Sequence, residues 1–128
     1  MAGTLCLVPT PIGNLGDISL RAKQALEAAD FIAAEDTRVS LKLLNHLEIK
    51  KPLVSYYEHN KSFKGSQIVE RILAGENCAL VSDAGSPAIS DPGEDLVKEC
   101  AQAGITVYAI PGPCAAITAL SISGQATG

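Results

Sequence analysis

The sequence predicts an α/β domain with an open, mainly parallel five-stranded sheet and helices on both faces. Short apolar runs alternate five times with stretches in which apolar residues recur every three or four positions, the pattern of successive strand–helix units. Apolar residues make up 47% of the chain, with no tryptophan and few phenylalanines or tyrosines. Such an aliphatic core suits a buried sheet covered by helices. The length of 128 residues allows one domain.

The strands and helices are predicted in strict alternation. Apolar runs predict strands over 4–9, 31–34, 53–57, 77–82 and 105–110. Ser19 caps a first helix whose inward stripe is Ile18, Ala22, Ala25, Leu26 and Ala29. Three more helices are predicted over 38–47, 64–74 and 92–103. Their inward residues are, in the same order, Val39, Leu43, Leu44 and Leu47; Ile68, Val69, Ile72 and Leu73; and Leu96, Val97, Cys100 and Ala101.

The sequence also indicates where these helices begin and end. Asp36 or Thr37 caps the helix over 38–47, and Gly75 and Gly104 end the helices over 64–74 and 92–103. A further, buried helix is predicted after 111–113.

Composition excludes several classes of protein. The four cysteines show no ligand spacing, so we expect buried thiols of a reduced, cytoplasmic protein and no metal site. No signal peptide or membrane-length apolar stretch is visible. The net charge of -4 argues against a protein that coats nucleic acid, although residues 38–71 carry seven basic and three acidic side chains. The excess of basic residues in this segment is suited to binding a phosphate backbone. On charge alone, however, an ordinary solvated surface is the favoured interpretation of the segment.

Polar residues and tight turns follow every predicted strand. In chain order the strand ends lead into PTPIGNLGD (9–17), EDTR (35–38), EHN (58–60), SDAGSPAISDPG (82–93) and PGP (111–113). The opposite strand ends are plain turns. Because the carboxyl ends of parallel strands share one edge, and open α/β sheets bind ligands there, we expect a ligand site at this edge. Neither GxGxxG nor GxxxxGK[ST] is present, which removes the main support for a dinucleotide or P-loop site.

Five segments together resemble one family. They are VPTPIGNLGDISLRA (8–22), AAEDTRVSLKLLNHL (33–47), SYYEHN (55–60), ALVSDAGSPAISDPG (79–93) and IPGPCAAITALSISG (110–124). They are similar to the ribosomal RNA small-subunit methyltransferase I branch of the tetrapyrrole methylase superfamily. The segments 79–93 and 110–116 resemble the whole superfamily, whereas EDTR and EHN resemble the ribosomal RNA branch.

The resemblance implies a function and a cofactor. It implies S-adenosylmethionine-dependent methylation of a cytidine ribose 2'-hydroxyl in the decoding region of 16S ribosomal RNA, by a homodimer that acts on the small ribosomal subunit. The cofactor-binding residues that it implies are Pro11, Ser82, Asp83, Ala84, Gly85, Ile89, Pro111, Ala115 and Ala116. Ser86 stands where the porphyrin branch has an acid, so no carboxylate contact is implied there, and Cys114 stands where the family more often has serine.

The resemblance also implies a domain organisation. Residues 1–128 correspond to the amino-terminal domain, which contributes half of the cofactor cleft, and the family's second domain is absent from this chain. We therefore expect the chain to be inactive alone.

Methyl transfer to a hydroxyl requires a positioned substrate and a proton acceptor. The candidates on the predicted edge are Glu35, Asp36, His59 and Asp83, although Asp36 could serve only as a helix cap, Asp83 could brace its own loop, and His59 could be structural. The candidate RNA-binding residues are Arg38, Lys42 and Asn60, with an ion pair to Glu35 or Asp36 as the alternative for Arg38. Two other functions remain open: a small-molecule methylase of the tetrapyrrole or corrin type, and a noncatalytic RNA-binding module.

Overall fold

The computed structural model describes residues 2–9, 18–82 and 91–110. Nine elements alternate through these residues, as predicted. They are β1 (Thr4–Pro9), α1 (Leu20–Ala28), β2 (Phe31–Ala34), α2 (Thr37–His46), β3 (Leu53–Ser55), α3 (Lys61–Leu73), β4 (Cys78–Ser82), α4 (Asp91–Gln102) and β5 (Thr106–Ala109). The helix predicted after residue 113 lies outside the described residues.

The five strands form one sheet in the order β3-β2-β4-β1-β5. All four strand pairings are parallel, which confirms the predicted fold class. The chain runs from β1 outward to β2 and β3, and then returns across the sheet to β4 and β5. This reversal places β4 at the centre of the sheet, between β2 and β1.

The two faces of the sheet are covered by different helices. Along each central strand, alternate residues enter opposite core clusters, because successive side chains of a strand point to opposite faces. One cluster joins Cys6, Val8, Ile32, Ala34, Ala79 and Val81 to residues of α1 (Ala22, Leu26) and α2 (Leu43, Leu44). The other joins Leu5, Leu7, Phe31, Ala33, Cys78 and Leu80 to residues of α3 (Ile68, Ile72) and α4 (Leu96, Val97, Cys100). The helices therefore form two layers, α1 with α2 and α3 with α4, as the fold class requires.

Side-chain caps begin the first two helices where the sequence predicts them. The Ser19 hydroxyl accepts a hydrogen bond from the backbone N–H of Ala22 at 3.1 Å. The Asp36 carboxylate accepts from the backbone N–H groups of Arg38 at 3.0 Å and Val39 at 3.4 Å. Both caps bind N–H groups that the first turn of a helix leaves without partners.

Three helices end at residues with positive φ. Gly75 (φ 113°) and Gly104 (φ 80°) follow α3 and α4, as predicted, and glycine adopts this conformation without a steric penalty. α2 ends differently, since Glu48 has a φ of 59° and the next N–H, of Ile49, donates to the Leu44 carbonyl at 2.9 Å. Because residue 48 is not a glycine, the sequence did not predict the positive φ that ends α2.

Some predicted details were wrong. β3 ends at Ser55 rather than 57, and α3 begins at 61 rather than 64, because the chain turns between them. Val39 and Leu73, which we expected to face inward, are 54% and 47% exposed, and Ala101 is also exposed. These three side chains flank the inward stripes of their helices instead of belonging to them.

The prediction of buried thiols is confirmed for three cysteines. Cys6, Cys78 and Cys100 are free and buried, and burial raises the pKa of the Cys6 thiol to about 11. Cys114 lies outside the described residues. In the described parts of the chain, no helix has both the length and the apolar character needed to cross a bilayer.

Candidate functional site at the carboxyl edge of the sheet

Three adjacent strands lead into the segments in which cofactor-binding residues are predicted. Pro9 at the end of β1 is level with Ser82 at the end of β4. On the other side of β1, Ala109 pairs with Leu7, and the Ile110 N–H donates to the Leu7 carbonyl at 2.9 Å. The segments that begin at residues 10, 83 and 111 therefore leave the sheet from neighbouring strand ends.

Most of the predicted cofactor-binding residues lie outside the described residues. These are Pro11, Asp83, Ala84, Gly85, Ile89, Pro111, Ala115 and Ala116. Ser82 is described as the last residue of β4. The structure thus shows the strand ends of β1, β4 and β5, from which the segments with these residues start.

The adjacent strands β1 and β4 form a topological switch point. β1 leads to α1 on one face of the sheet, whereas its neighbour β4 leads to α4 on the other face. Ligands of open α/β sheets bind where adjacent strands send their connections to opposite faces. The carboxyl ends of β1 and β4 satisfy this condition.

Glu35 is the carboxylate that directly follows β2. Ala34 pairs with Val81, so Glu35 lies level with Ser82 on the adjacent strand. Glu35 is exposed. Within the described residues it has no ion pair and no side-chain hydrogen bond. Its carboxylate is therefore unengaged by this part of the chain.

Asp36 is engaged as the cap of α2. The backbone N–H of Arg38 is the main cause that lowers the pKa of the Asp36 carboxyl below its ordinary value. The Arg38 Nε also lies 3.5 Å from Asp36 Oδ1, which is the ion pair that we considered as the alternative role of Arg38. The Arg38 side chain is nevertheless 89% exposed. Since water screens such an exposed pair, the guanidinium stays accessible to a phosphate.

The turn after β3 is held by Asn60. Its side-chain Oδ1 accepts from the Tyr57 N–H at 2.7 Å, and its Nδ2 donates to the Ser55 carbonyl at 2.9 Å. His59, next to it, is exposed, and its ring meets the Tyr57 ring edge-on with centroids 6.3 Å apart. Asn60 thus fixes the conformation of the turn that carries His59. Lys42 lies one helical turn beyond Arg38 on α2 and is exposed.

An ion-pair cluster between α3 and α4 was not predicted. The Lys61 ammonium lies 3.2 Å from a carboxylate oxygen of Glu58 and 2.5 Å from one of Asp95. Lys61 begins the helix that follows the His59 turn, and Asp95 lies in the first turns of the helix that follows segment 83–90. The cluster therefore ties together two parts of the candidate edge. Lys61 and Asp95 are far apart in sequence, so local patterns gave no signal for their contact.

The same interface contains a carboxyl group that packs against a glycine. Glu99 Oε2 is buried without a hydrogen-bond partner among the described residues, and burial raises the pKa of this carboxyl. A Cβ at position 65 would lie 2.6 Å from that oxygen. Glycine at 65 therefore leaves room for the Glu99 carboxyl group between α3 and α4. Residues 2–9, 18–82 and 91–110 contain no group of three or more side chains arranged to hold a metal ion.

Replacing Lys61 with glutamine is expected to lower the stability of the protein. Because Lys61 lowers the pKa of Asp95, the stabilisation is fully present above the ordinary carboxyl pKa of about 3.9 and is lost as the pH falls through the lowered value. Because Asp95 and Glu58 raise the pKa of Lys61, it is also lost as the pH rises through that raised value. Urea midpoints should therefore differ most from the wild type near neutral pH and least at a pH below the lowered pKa of Asp95. Lys64→Gln, on the same helix, is the control, and an equal loss there would refute the role of the cluster.

The fold and this edge define the chain as a parallel α/β domain with a switch point of the kind at which open α/β sheets bind ligands. The family model for tetrapyrrole (corrin/porphyrin) methylases matches residues 4–128, and the chain belongs to this family.

Relatives with the name ribosomal RNA small subunit methyltransferase I match nearly all of the chain. The relative from Halalkalibacterium halodurans is 56% identical over 125 residues, which are 98% of this chain and 43% of that protein. The one from Escherichia coli O157:H7 is 53% identical over 95% of this chain and 43% of its own length. The chain therefore spans less than half the length of these relatives. These matches agree with the resemblance that the sequence motifs indicated.

Solved structures show the same fold. The uroporphyrin-III-C-methyltransferase of Thermus thermophilus superposes with a TM-score of 0.67 at 24% identity, over 97% of this chain and 54% of that one. A diphthine synthase gives a TM-score of 0.68 at 17% identity, over 86% of this chain and 44% of that one.

Proposed function

We propose that this chain is the amino-terminal domain of a homodimeric, cytoplasmic, S-adenosylmethionine-dependent methyltransferase. Its proposed substrate is the ribose 2'-hydroxyl of a cytidine in the decoding region of 16S ribosomal RNA, within the small ribosomal subunit. The observation that carries the proposal is the 50–56% identity to relatives named for ribosomal RNA methylation across nearly the whole chain. Because the chain covers only part of those relatives, a second domain would complete the cofactor cleft.

The described strand ends support S-adenosylmethionine as the proposed cofactor. The three segments with predicted cofactor-binding residues start from the adjacent ends of β4, β1 and β5, at the switch point. Small polar cofactors of open α/β proteins bind at such an edge. Residues from Pro11, Ser82–Ile89 and 111–116 would hold the cofactor there.

The residues of this chain would position the substrate and remove one proton. The cofactor, when bound, supplies a methyl group already activated on a sulfonium. As the 2'-oxygen forms its bond to that methyl carbon and the carbon–sulfur bond breaks, the hydroxyl proton must pass to an acceptor. Of the candidates that the structure describes, Glu35 is the best placed, because it is level with Ser82 and its carboxylate is unengaged within the described residues. Asp83, the fourth candidate, lies outside the described residues. Asp36 is occupied as a cap, and His59 lies one strand farther from β4.

The RNA-binding residues divide into two roles in this proposal. Arg38 and Lys42 are exposed cations on α2 and would contact phosphates. Asn60 uses both ends of its amide to hold the turn after β3. We therefore assign Asn60 to the positioning of that turn, with His59 at its surface.

Calorimetric titration with S-adenosylmethionine and S-adenosylhomocysteine tests the cofactor. Titrating this chain and the full-length protein in parallel separates two cases: binding by both places most of the site in this domain, whereas binding by the longer form alone places essential contacts in the second domain. Binding by neither would refute the methyltransferase function and favour a noncatalytic module.

Methylation assays with the full-length protein test the substrate. We expect transfer of labelled methyl groups to small ribosomal subunits and none to a panel of tetrapyrroles. The reverse result would support a small-molecule methylase of the corrin or porphyrin type.

A further inference from the structure

The two helix layers of the domain differ in charge. α1 and α2 carry four basic residues (Arg21, Lys23, Arg38 and Lys42) and one acidic residue (Glu27). α3 and α4 carry four basic residues (Lys61, Lys64, Arg71 and Lys98) and five acidic ones (Glu70, Asp91, Glu94, Asp95 and Glu99). In a chain of net charge -4, the layer of α1 and α2 is thus the basic side.

The basic residues of α3 are largely neutralised by ion pairs. Lys61 is shared between Glu58 and Asp95. The Arg71 guanidinium forms two hydrogen bonds to the Glu76 carboxylate, at 2.8 and 2.9 Å, and covers the ring of Phe31. Because Lys61 and Arg71 are already paired with carboxylates of this chain, they are poor partners for an external phosphate. The seven basic residues of segment 38–71 therefore do not form one RNA-binding surface.

The basic residues of α1 and α2 are less engaged in ion pairs within the described residues. Within the described residues, the one ion pair made by the four basic residues of α1 and α2 is the exposed contact between Arg38 and Asp36 at 3.5 Å. α2 itself contains no acidic residue. Arg38, Lys42 and His46 recur every four residues and are all exposed, whereas Ser40, Leu43 and Leu44 face the core. The three exposed side chains form a ridge with steps of about 6 Å along the helix axis.

We propose that RNA docks on the layer of α1 and α2, with its phosphates along the α2 ridge formed by Arg38, Lys42 and His46. This inference rests on the proposed function and adds the side of the sheet from which the RNA approaches. α2 begins two residues after Glu35, so a strand bound along the ridge leads directly to the candidate edge. Charge complementarity identifies the partner, because a polyphosphate backbone is attracted to the exposed cations Arg38 and Lys42, which have no acidic residue between them on α2.

Matched neutralisations of the two layers test this proposal in the full-length protein. The first variant is Arg38→Gln with Lys42→Gln, and the control is Lys64→Gln with Lys98→Gln, which removes the same charge from the other layer. Binding to a labelled RNA of the 16S decoding region is measured by fluorescence anisotropy over a range of salt concentrations. Each phosphate contact contributes roughly 0.7–0.9 to the slope of log K against log salt. We expect the α2 variant to bind roughly tenfold more weakly, with a slope smaller by about 1.5, and the control to match the wild type.

Three results would overturn the inference. Equal loss in both variants would mean that only net charge matters. Unchanged RNA affinity with altered oligomeric state on size exclusion would make the ridge a subunit interface. In both cases, methylation of small subunits by the wild type would leave the proposed function standing. A wild type that neither binds the RNA nor methylates small ribosomal subunits would overturn the inference and the proposed function together.

Discussion

Replacing Phe31 with alanine is expected to cost about 3–5 kcal/mol of unfolding free energy. The Phe31 side chain is completely buried at the start of β2, in the cluster beneath α3 and α4. The Arg71 guanidinium carbon lies 3.7 Å from the centroid of its ring. Removing the ring therefore leaves a cavity in a close-packed core and takes away the cation–π partner of Arg71. Urea denaturation followed by circular dichroism measures the loss.

Phe63→Ala is the matched control. The chain has only two phenylalanines, and Phe63, on α3, is 66% exposed. The same substitution there removes little buried surface, so we expect a change within about 0.5 kcal/mol. Similar losses at both positions would contradict the packing that the structure shows around Phe31.

Local patterns were sufficient to predict the order of the nine described elements and the two-sided core. The alternation of strand residues predicts which neighbours face opposite sides, and Cys6 and Leu7 do enter different clusters. Capping chemistry predicts where α1 and α2 begin, because Ser19 and Asp36 accept hydrogen bonds from the N–H groups of the next turn. Both signals depend on residues that are close in sequence.

Strand order could not be predicted in the same way. Nothing in the composition of β2 or β5 says which of them lies beside β4, because all parallel strands in a buried sheet have similar apolar sequences. Contacts that depend on this order were missed as well. The ion pair of Lys61 with Asp95 exists because α3 and α4 cover the same face.

The candidate edge was predicted in outline from the polar residues that follow each strand. Glu35 and His59 do lie at the carboxyl ends of β2 and β3. The difference between them could not be predicted, since it comes from the sheet order: β2 adjoins β4, whereas β3 is one strand farther away. The engagement of Asp36 as a cap and of Asn60 in its turn also became clear only from their hydrogen bonds.

Glu35→Gln in the full-length protein is expected to slow methyl transfer by about 10²–10⁴-fold, the usual contribution of a general base. The substitution keeps the size of the side chain but removes its capacity to accept the 2'-hydroxyl proton. Single-turnover methylation of small ribosomal subunits measures the rate, and calorimetry should show unchanged affinity for S-adenosylmethionine. An effect on the rate without an effect on cofactor binding is what a proton acceptor requires.

Two further variants separate a proton acceptor from a residue that only maintains the edge. Asp36→Asn keeps an acceptor oxygen for the N–H of Arg38, so the helix cap persists and we expect a much smaller loss of rate. In Glu35→Ala, added formate should restore part of the rate, because a small carboxylate can occupy the space of the lost side chain and accept the proton. A structural role would not respond to formate. A normal methylation rate in Glu35→Gln, or a larger loss of rate in Asp36→Asn than in Glu35→Gln, would show that Glu35 is not the general base.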